Sequence, residues 1–142
     1  MTETRTIALI TGASRGIGHE VARQLAALGI VVLAAVRDPG TAAGSLASLP
    51  GDVRSIRLDV TDEAAIHSAA ATVAADYGRL DILINNAGGS GNSRLRPILH
   101  SHACWLWIAA AVPEGCPSAW LIDARPNTGS TGTHILFFEL KN

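Results

Sequence analysis

The chain is poor in several residue types, and each shortage excludes a class of protein. Two cysteines, Cys104 and Cys116, are too few for a disulfide framework. The longest stretch without charge, about 99–113, is too short to span a bilayer. Tyrosine and lysine each occur once, as Tyr77 and Lys141, so the chain offers one candidate pair for chemistry that needs a tyrosine beside a lysine.

Charge is also scarce, and its balance gives no sign of a polyanionic partner. Of the 142 residues, 16% are charged, 48% are hydrophobic, and the formal net charge is −1. Such a chain is globular and gives no electrostatic reason to expect nucleic acid or a membrane surface as a partner. Residues 1–6 run directly into a strand-like segment and do not resemble a signal peptide. We therefore expect a cytoplasmic protein.

Up to Gly88 the chain alternates strand and helix patterns. Short apolar runs predict strands, and apolar residues at helical spacing predict helices that end at Gly29 and Gly78. The pattern predicts an α/β fold, a Rossmann-like parallel sheet with strand order 3-2-1-4 and flanking helices. The predicted strands are Thr6–Ile10, Ile30–Val36, Val53–Leu58 and Leu80–Ile84, and the helical stripes run from Ile17 to Leu28 and from Ile66 to Tyr77.

The composition changes after Gly88, which divides the chain into a Rossmann-type unit at 1–88 and an atypical tail at 89–142. The tail contains all three tryptophans, both phenylalanines and four of the six prolines. The second half of a Rossmann fold is not visible in it, so the fourth strand would present an exposed apolar edge. The tail contains three short candidate strands, Trp105–Val112, Ala119–Ile122 and His134–Leu140, and we expect the first and third to cover that edge.

A glycine-rich turn follows the first strand and opens the first helix. Its glycines, Gly12, Gly16 and Gly18, are spaced G-x-x-x-G-x-G. Gly12 permits a tight turn, Gly16 a close approach of backbone to phosphate, and Gly18 close packing of helix on strand. Because the first turn of a helix has unpaired N–H groups and the positive end of the dipole, this turn predicts a pyrophosphate site.

Three segments together resemble the short-chain dehydrogenase/reductase family: Thr11–Gly18, the Leu-Asp-Val at 58–60, and Asn85–Gly88. The resemblance implies that Asp59 accepts a hydrogen bond from the adenine amino group, with the Val60 backbone beside it. Asn85 and Asn86 have a structural alternative, in which their side chains tie neighbouring strands together. The resemblance further places Gly12, Ser14, Arg15, Ile17 and Gly18 around the cofactor phosphates and ribose, and Asn86, Ala87 and Gly88 along the ribose side of the cleft.

The end of the second strand bears on which nicotinamide cofactor is bound. An acidic residue there bonds the ribose 2′-hydroxyl of NAD, but this chain has Val36 followed by Arg37. A guanidinium can bind a 2′-phosphate bidentately, and Arg15 could reach the same phosphate. The sequence therefore favours NADP(H) over NAD(H). The alternative is that both arginines are solvated and that Asp38 neutralises Arg37.

The resemblance also implies carbonyl reduction in which a tyrosine supplies the proton, a lysine one helical turn later assists it, and a serine orients the carbonyl. A free tyrosine has a pKa of about 10, so it needs a nearby cation to act near neutrality. No Tyr-x-x-x-Lys exists here: the residue four places after Tyr77 is Asp81, and Lys141 is penultimate. Nothing singles out Ser118 or Ser130 as the serine. No catalytic residue is predicted.

Two functions of different classes remain open. One is an NADP(H)-dependent oxidoreductase that interconverts carbonyl and alcohol, with a small carbonyl substrate. The other is a catalytically inactive, truncated or frameshifted cofactor-binding fragment, with the reading frame changing near Gly88. Translation of the coding DNA past that codon tests the frameshift version, which fails if neither other frame encodes a Tyr-x-x-x-Lys.

A metal site is not predicted. His100, His102, Cys104 and Cys116 are residue types that bind zinc, but their spacing matches no closed structural site. Buried or solvated side chains account for them better. The sequence predicts neither a particular substrate nor an oligomeric state.

Overall fold

The computed structural model describes residues 5–87, 119–126 and 133–140. Three helices alternate with the first four strands, and two further strands follow. In chain order the elements are β1 Ile7–Thr11, α1 Gly16–Ala27, β2 Val31–Val36, α2 Pro39–Ala47, β3 Val53–Arg57, α3 Glu63–Tyr77, β4 Ile82–Asn85, β5 Ala119–Pro126 and β6 Thr133–Leu140.

The strands form one sheet in the order β3-β2-β1-β4-β5-β6. The pairs from β3 to β5 are parallel, and β6 runs antiparallel to β5. In the centre, Leu9 of β1 lies opposite Leu33 of β2 on one side and Leu83 of β4 on the other. The predicted order 3-2-1-4 is confirmed. Parallel strands place all their carboxyl ends at one edge of the sheet, which is where a ligand binds in such folds.

Strands β1 and β2 are covered on both faces of the sheet, which explains why they are uninterrupted apolar runs. Alternate residues of a strand point to opposite faces, so a strand covered on both sides is apolar throughout. One face packs Leu9 and Leu33 against Ile66 and Val73 of α3. The other face packs Ile10 and Val32 with Ala22 of α1 and Leu46 of α2.

Helix α3 ends where the sequence predicts and begins shortly before the predicted apolar stripe. Asp62 is its N-cap and accepts hydrogen bonds from the N–H groups of Ala64 and Ala65. Gly78 closes it in the left-handed region at φ +67°, a conformation that costs glycine little. An acidic residue in the first turn, Glu63, complements the helix dipole.

Helix α2 is not among the elements that the sequence predicts. It has nine residues, two of them glycine, and buries only Ala42 and Leu46, so no apolar stripe marks it. Its local signals are Asp38 as N-cap and a proline at the first position. Packing against β2 and β3 compensates for its weak propensity.

The edge of β4 is covered by β5, with Ile82 opposite Trp120 and Ile84 opposite Ile122. The expectation that His134–Leu140 covers this edge is wrong: that segment lies in β6 and pairs with β5 instead. Trp105–Val112 lies outside the described residues. Both Ala119–Ile122 and His134–Leu140 are strands, as predicted. The division at residue 88 stays a prediction. Within the described ranges no helix combines the length and the apolar character needed to cross a membrane.

Candidate cofactor-binding site

The glycine-rich turn lies at the carboxyl end of β1, between the ends of β2 and β4. Gly12 and Gly16 both have positive φ, +67° and +63°. A Cβ at Gly12 would lie 3.0 Å from Cα of Ala87, and one at Gly18 would lie 2.5 Å from the carbonyl oxygen of Gly12. At Gly16 a Cβ would meet no atom of the described residues within 4 Å. Two of the glycines therefore permit close packing of the chain on itself, while the third faces open space from which a ligand can approach.

Helix α1 begins above this turn with its N-terminus uncapped. Its N-cap residue is Arg15, whose side chain makes no capping hydrogen bond with the described residues, and no acidic residue lies in the first turn. The positive end of the helix dipole thus faces outward without a counter-charge of its own. Ile17 is 66% exposed beside it. The arrangement suits an anion with an adjoining apolar surface.

Thr11 holds the turn against β4. Its hydroxyl donates to Oδ1 of Asn85 at 3.0 Å and accepts from the N–H groups of Asn86 at 3.0 Å and Ala87 at 2.9 Å. The side-chain amide of Asn86 donates to the carbonyl of Gly12 at 3.2 Å. Both asparagines therefore tie strands together, the structural alternative considered above. The sequence analysis places Thr11 in the motif but does not predict these hydrogen bonds. The feature that could have predicted them is a single hydroxyl-bearing residue at the end of an otherwise apolar strand.

Asp59 and Val60 follow β3 at the same edge of the sheet. Oδ1 of Asp59 accepts from the hydroxyl of Thr61 at 2.7 Å and from its N–H at 2.9 Å. These bonds, with the charge of Arg37, lower the pKa of Asp59 below its ordinary value. Within the described part of the chain no hydrogen bond reaches Oδ2, which can accept one from a ligand. Val60 packs against the core cluster on the α3 side.

The carboxylate of Asp38 points to helix α2. It accepts from the hydroxyl of Thr41 at 2.7 Å and from the N–H groups of Gly40 at 3.0 Å and Thr41 at 3.4 Å. These bonds lower the pKa of Asp38, with a smaller contribution from the charge of Arg57. Among the ion pairs in the described residues there is none between Asp38 and Arg37. The alternative in which Asp38 neutralises Arg37 is not what the structure contains.

An open cleft of about 320 Å³ lies beside the end of β3, within the size range of small-ligand pockets. Two of its residues, Arg37 and Asp59, were predicted from the sequence. Arg57 and Ser68 were not, because the predicted strand order places β3 beside β2 but fixes neither the register of the pair nor the position of α3 over it. The cleft is lined by Arg37, Arg57, Asp59, Asp62, Ala65 and Ser68.

Tyr77 lies at the other end of the sheet, near the start of β3. Nη1 of Arg54 donates to its hydroxyl at 3.5 Å, and the guanidinium carbon lies 5.7 Å from the ring centroid. Arg54 is held in turn by Asp52, with Nε at 2.8 Å from Oδ1. Tyr77 therefore packs where strands start, whereas the glycine-rich turn lies where they end.

Several residues weighed in the sequence analysis lie outside the described ranges. Among residues 5–87, 119–126 and 133–140 no group of three or more histidine, cysteine, aspartate or glutamate side chains could hold a metal ion. The residues outside are Gly88, His100, His102, Cys104, Cys116, Ser118, Ser130 and Lys141.

Fold and site define a Rossmann-type nucleotide-binding unit. The sequence profile of the short chain dehydrogenase family matches residues 6–103, which is more than half of the chain, and the chain belongs to that family.

Among curated relatives, (+)-neomenthol dehydrogenase of Arabidopsis thaliana is 43% identical over 96 residues, covering 63% of this chain and 32% of the relative. The 3-oxoacyl-(acyl-carrier-protein) reductase FabG of Escherichia coli K12 is 43% identical over 82 residues, 58% of this chain and 34% of the relative. The chain thus spans about a third of the length of these two relatives.

Solved structures agree on the fold. A short-chain dehydrogenase from Streptomyces avermitilis has a TM-score of 0.70 at 32% identity, covering 87% of this chain and 49% of its own. A metagenomic short-chain oxidoreductase in complex with NADP has a TM-score of 0.74 at 26% identity, with coverage of 88% and 63%. A short chain dehydrogenase/reductase from Burkholderia phymatum in complex with NAD has a TM-score of 0.70 at 26% identity, with coverage of 87% and 50%.

Proposed function

We propose that this chain is the cofactor-binding unit of an NADP(H)-dependent short chain dehydrogenase that interconverts a carbonyl and an alcohol in the cytoplasm. The observation that carries the proposal is the uncapped N-terminus of α1 above a turn whose glycines leave room for a ligand. The family membership and the NADP complex of a structural relative support it.

The residues present fit a dinucleotide. Gly16 leaves open space on the ligand side of the turn, where a Cβ would meet no atom within 4 Å. Gly12, Ser14, Arg15, Ile17 and Gly18 surround the place for the diphosphate, and Oδ2 of Asp59 is available to the adenine amino group, with Val60 beside it. Asn86 and Ala87 line the ribose side, and Gly88, which follows them in the family motif, belongs to the same proposed set. The nicotinamide ring, when bound, supplies or accepts the hydride.

The proposed preference for NADP(H) is supported by the hydrogen bonds that Asp38 accepts and by the ion pairs formed among the described residues, which do not include Arg37. NAD is favoured by a carboxylate that accepts from the ribose 2′-hydroxyl. The first carboxylate that follows β2 in the chain, that of Asp38, accepts from three donors of helix α2. Arg37 forms no ion pair among the described residues, so its guanidinium is available to a 2′-phosphate.

A second function, cofactor binding without turnover, is favoured by a separate observation. The only tyrosine, Tyr77, bonds Arg54 at the end of the sheet opposite the glycine-rich turn. A proton donor there cannot reach a carbonyl at the carboxyl ends of the strands, because proton transfer requires hydrogen-bond distance or one bridging water.

Two measurements test these functions. Calorimetric titration of the purified chain should give a lower Kd for NADPH than for NADH; a lower Kd for NADH contradicts the preference, and binding of neither contradicts the proposal. Absorbance of NADPH with a panel of ketones and aldehydes then separates the two functions. Loss above a heat-killed control supports the oxidoreductase, and no loss despite tight binding supports the inactive unit.

A further inference from the structure

The ends of β2 and β3 bring a second arginine to the place where Arg37 leaves the sheet. Val36 lies opposite Arg57 in the parallel register, and the N–H of Leu58 donates to the carbonyl of Val36 at 2.9 Å. Neighbouring strands are about 4.8 Å apart, so Arg57 reaches the carboxyl edge beside Val36, the residue that precedes Arg37. Both line the cleft at the end of β3.

The carboxylates around this cleft are bonded to the protein itself. Asp62 caps α3, Asp38 caps α2, and Asp59 accepts from Thr61. In the described part of the chain none of them forms an ion pair with Arg57. Both guanidiniums of the cleft, Arg37 and Arg57, thus retain donors for an external anion.

Arg54, on the same strand, shows the contrasting arrangement. Its Nε and Nη2 donate to the two oxygens of Asp52 at 2.8 and 3.2 Å, and its Nη1 contacts Tyr77. The guanidinium of Arg54 is therefore paired with a carboxylate of the protein at the start of β3. Among the described residues, the guanidinium of Arg57 at the end of that strand pairs with no carboxylate.

We propose that Arg57 is a further specificity-determining residue, which binds the 2′-phosphate of NADP(H) together with Arg37. The inference rests on the proposed NADP(H) preference and extends it to a residue on β3. A guanidinium donates to two phosphate oxygens at once, whereas the 2′-hydroxyl of NAD carries no charge to attract it. Arg57 therefore strengthens the binding of NADP(H) without strengthening the binding of NAD(H).

The test is calorimetric titration of the full chain with NADPH and NADH, in the wild type, Arg57→Gln and Arg54→Gln. Arg57→Gln should raise the Kd for NADPH about tenfold and leave the Kd for NADH unchanged, since hydrogen bonds to charged groups are worth more than neutral ones. Arg54→Gln is the matched control, with the same residue type on the same strand, and should leave the ratio of the two Kd values unchanged. A third variant, Arg57→Lys, keeps the charge and should recover part of the affinity for NADPH.

The outcomes separate this inference from the proposed function. If Arg57→Gln weakens NADPH and NADH equally, or neither, Arg57 does not read the phosphate and the inference is wrong, while the binding function stands. If the wild type binds neither cofactor, the proposed function itself fails. Circular dichroism of each variant identifies loss of folding; should Arg57→Gln unfold, Arg57→Lys decides by whether it shifts the ratio of the two Kd values.

Discussion

The hydroxyl of Thr11 in β1 donates a hydrogen bond of 3.0 Å to Oδ1 of Asn85, which lies 74 positions later in the chain. It also accepts hydrogen bonds from the N–H groups of the two residues that follow Asn85. One buried hydroxyl, 1% exposed, therefore sets the distance between the glycine-rich turn and the end of β4. The shape of the proposed site depends on this residue, although nothing requires it to touch a ligand.

Thr11→Val should destabilise the chain. The substitution keeps the shape but leaves two N–H donors and the Asn85 side chain without their partner, at a cost of about 2–3 kcal/mol. Urea denaturation measures it. Thr72→Val removes an exposed hydroxyl that, among the described residues, bonds the carbonyl of Ser68, and should change stability by less than about 0.5 kcal/mol. Equal effects of the two substitutions would show that the Thr11 bonds carry little stability.

Two glycine-to-alanine substitutions should change the stability of the chain in opposite directions. At Gly18 the new Cβ would lie 2.5 Å from the Gly12 carbonyl, so backbone must shift, and we expect a loss of about 1–3 kcal/mol and weaker cofactor binding. At Gly44, inside α2, the Cβ meets nothing within 4 Å, and higher helix propensity should raise stability by about 0.5–1 kcal/mol. Thermal denaturation of both variants checks the prediction. A neutral Gly18→Ala would contradict the close packing of turn and helix.

The stability of the chain should fall in acid, in part through Asp38. Its folded-state pKa is lowered from the ordinary 3.8 by the Thr41 hydroxyl and the α2 N–H groups. The stabilisation is therefore fully present above the ordinary pKa and is lost as the pH falls through the lower, folded pKa. Asp38→Asn keeps an N-cap acceptor but cannot titrate. Denaturation midpoints between pH 2 and 6 should fall less steeply for this variant; parallel curves would exclude a contribution from Asp38.

Tyr77→Phe should leave cofactor binding unchanged. Its hydroxyl contacts Arg54 at the amino end of β3, whereas the proposed site lies at the carboxyl ends of the strands. Calorimetry with NADPH, and turnover if the wild type shows any, are the measurements. A large loss of turnover in this variant, with binding and circular dichroism unchanged, would mean that Tyr77 acts in the reaction after all.

The sequence predicts strands and helices well where a local physical cause exists. Continuous apolar runs mark β1 and β2 because both faces of the sheet are covered, and Asp62 and Gly78 mark the ends of α3 because they satisfy its terminal groups. Helix α2 has no such cause along its own length. Only packing against β2 and β3 makes it stable, so no periodicity announces it.

The motifs that identify the family, which are the glycine-rich turn, the Leu-Asp-Val at 58–60 and Asn85–Gly88, can be recognised in the chain alone because each is a short run of adjacent residues. What each polar side chain bonds to required the folded arrangement. Asp38 lies next to Arg37 in sequence but bonds to α2, and Arg57 is 20 positions from Arg37 yet lines the same cleft. Parallel strands place distant residues side by side at their carboxyl ends, a proximity that follows from the register of the sheet rather than from spacing along the chain.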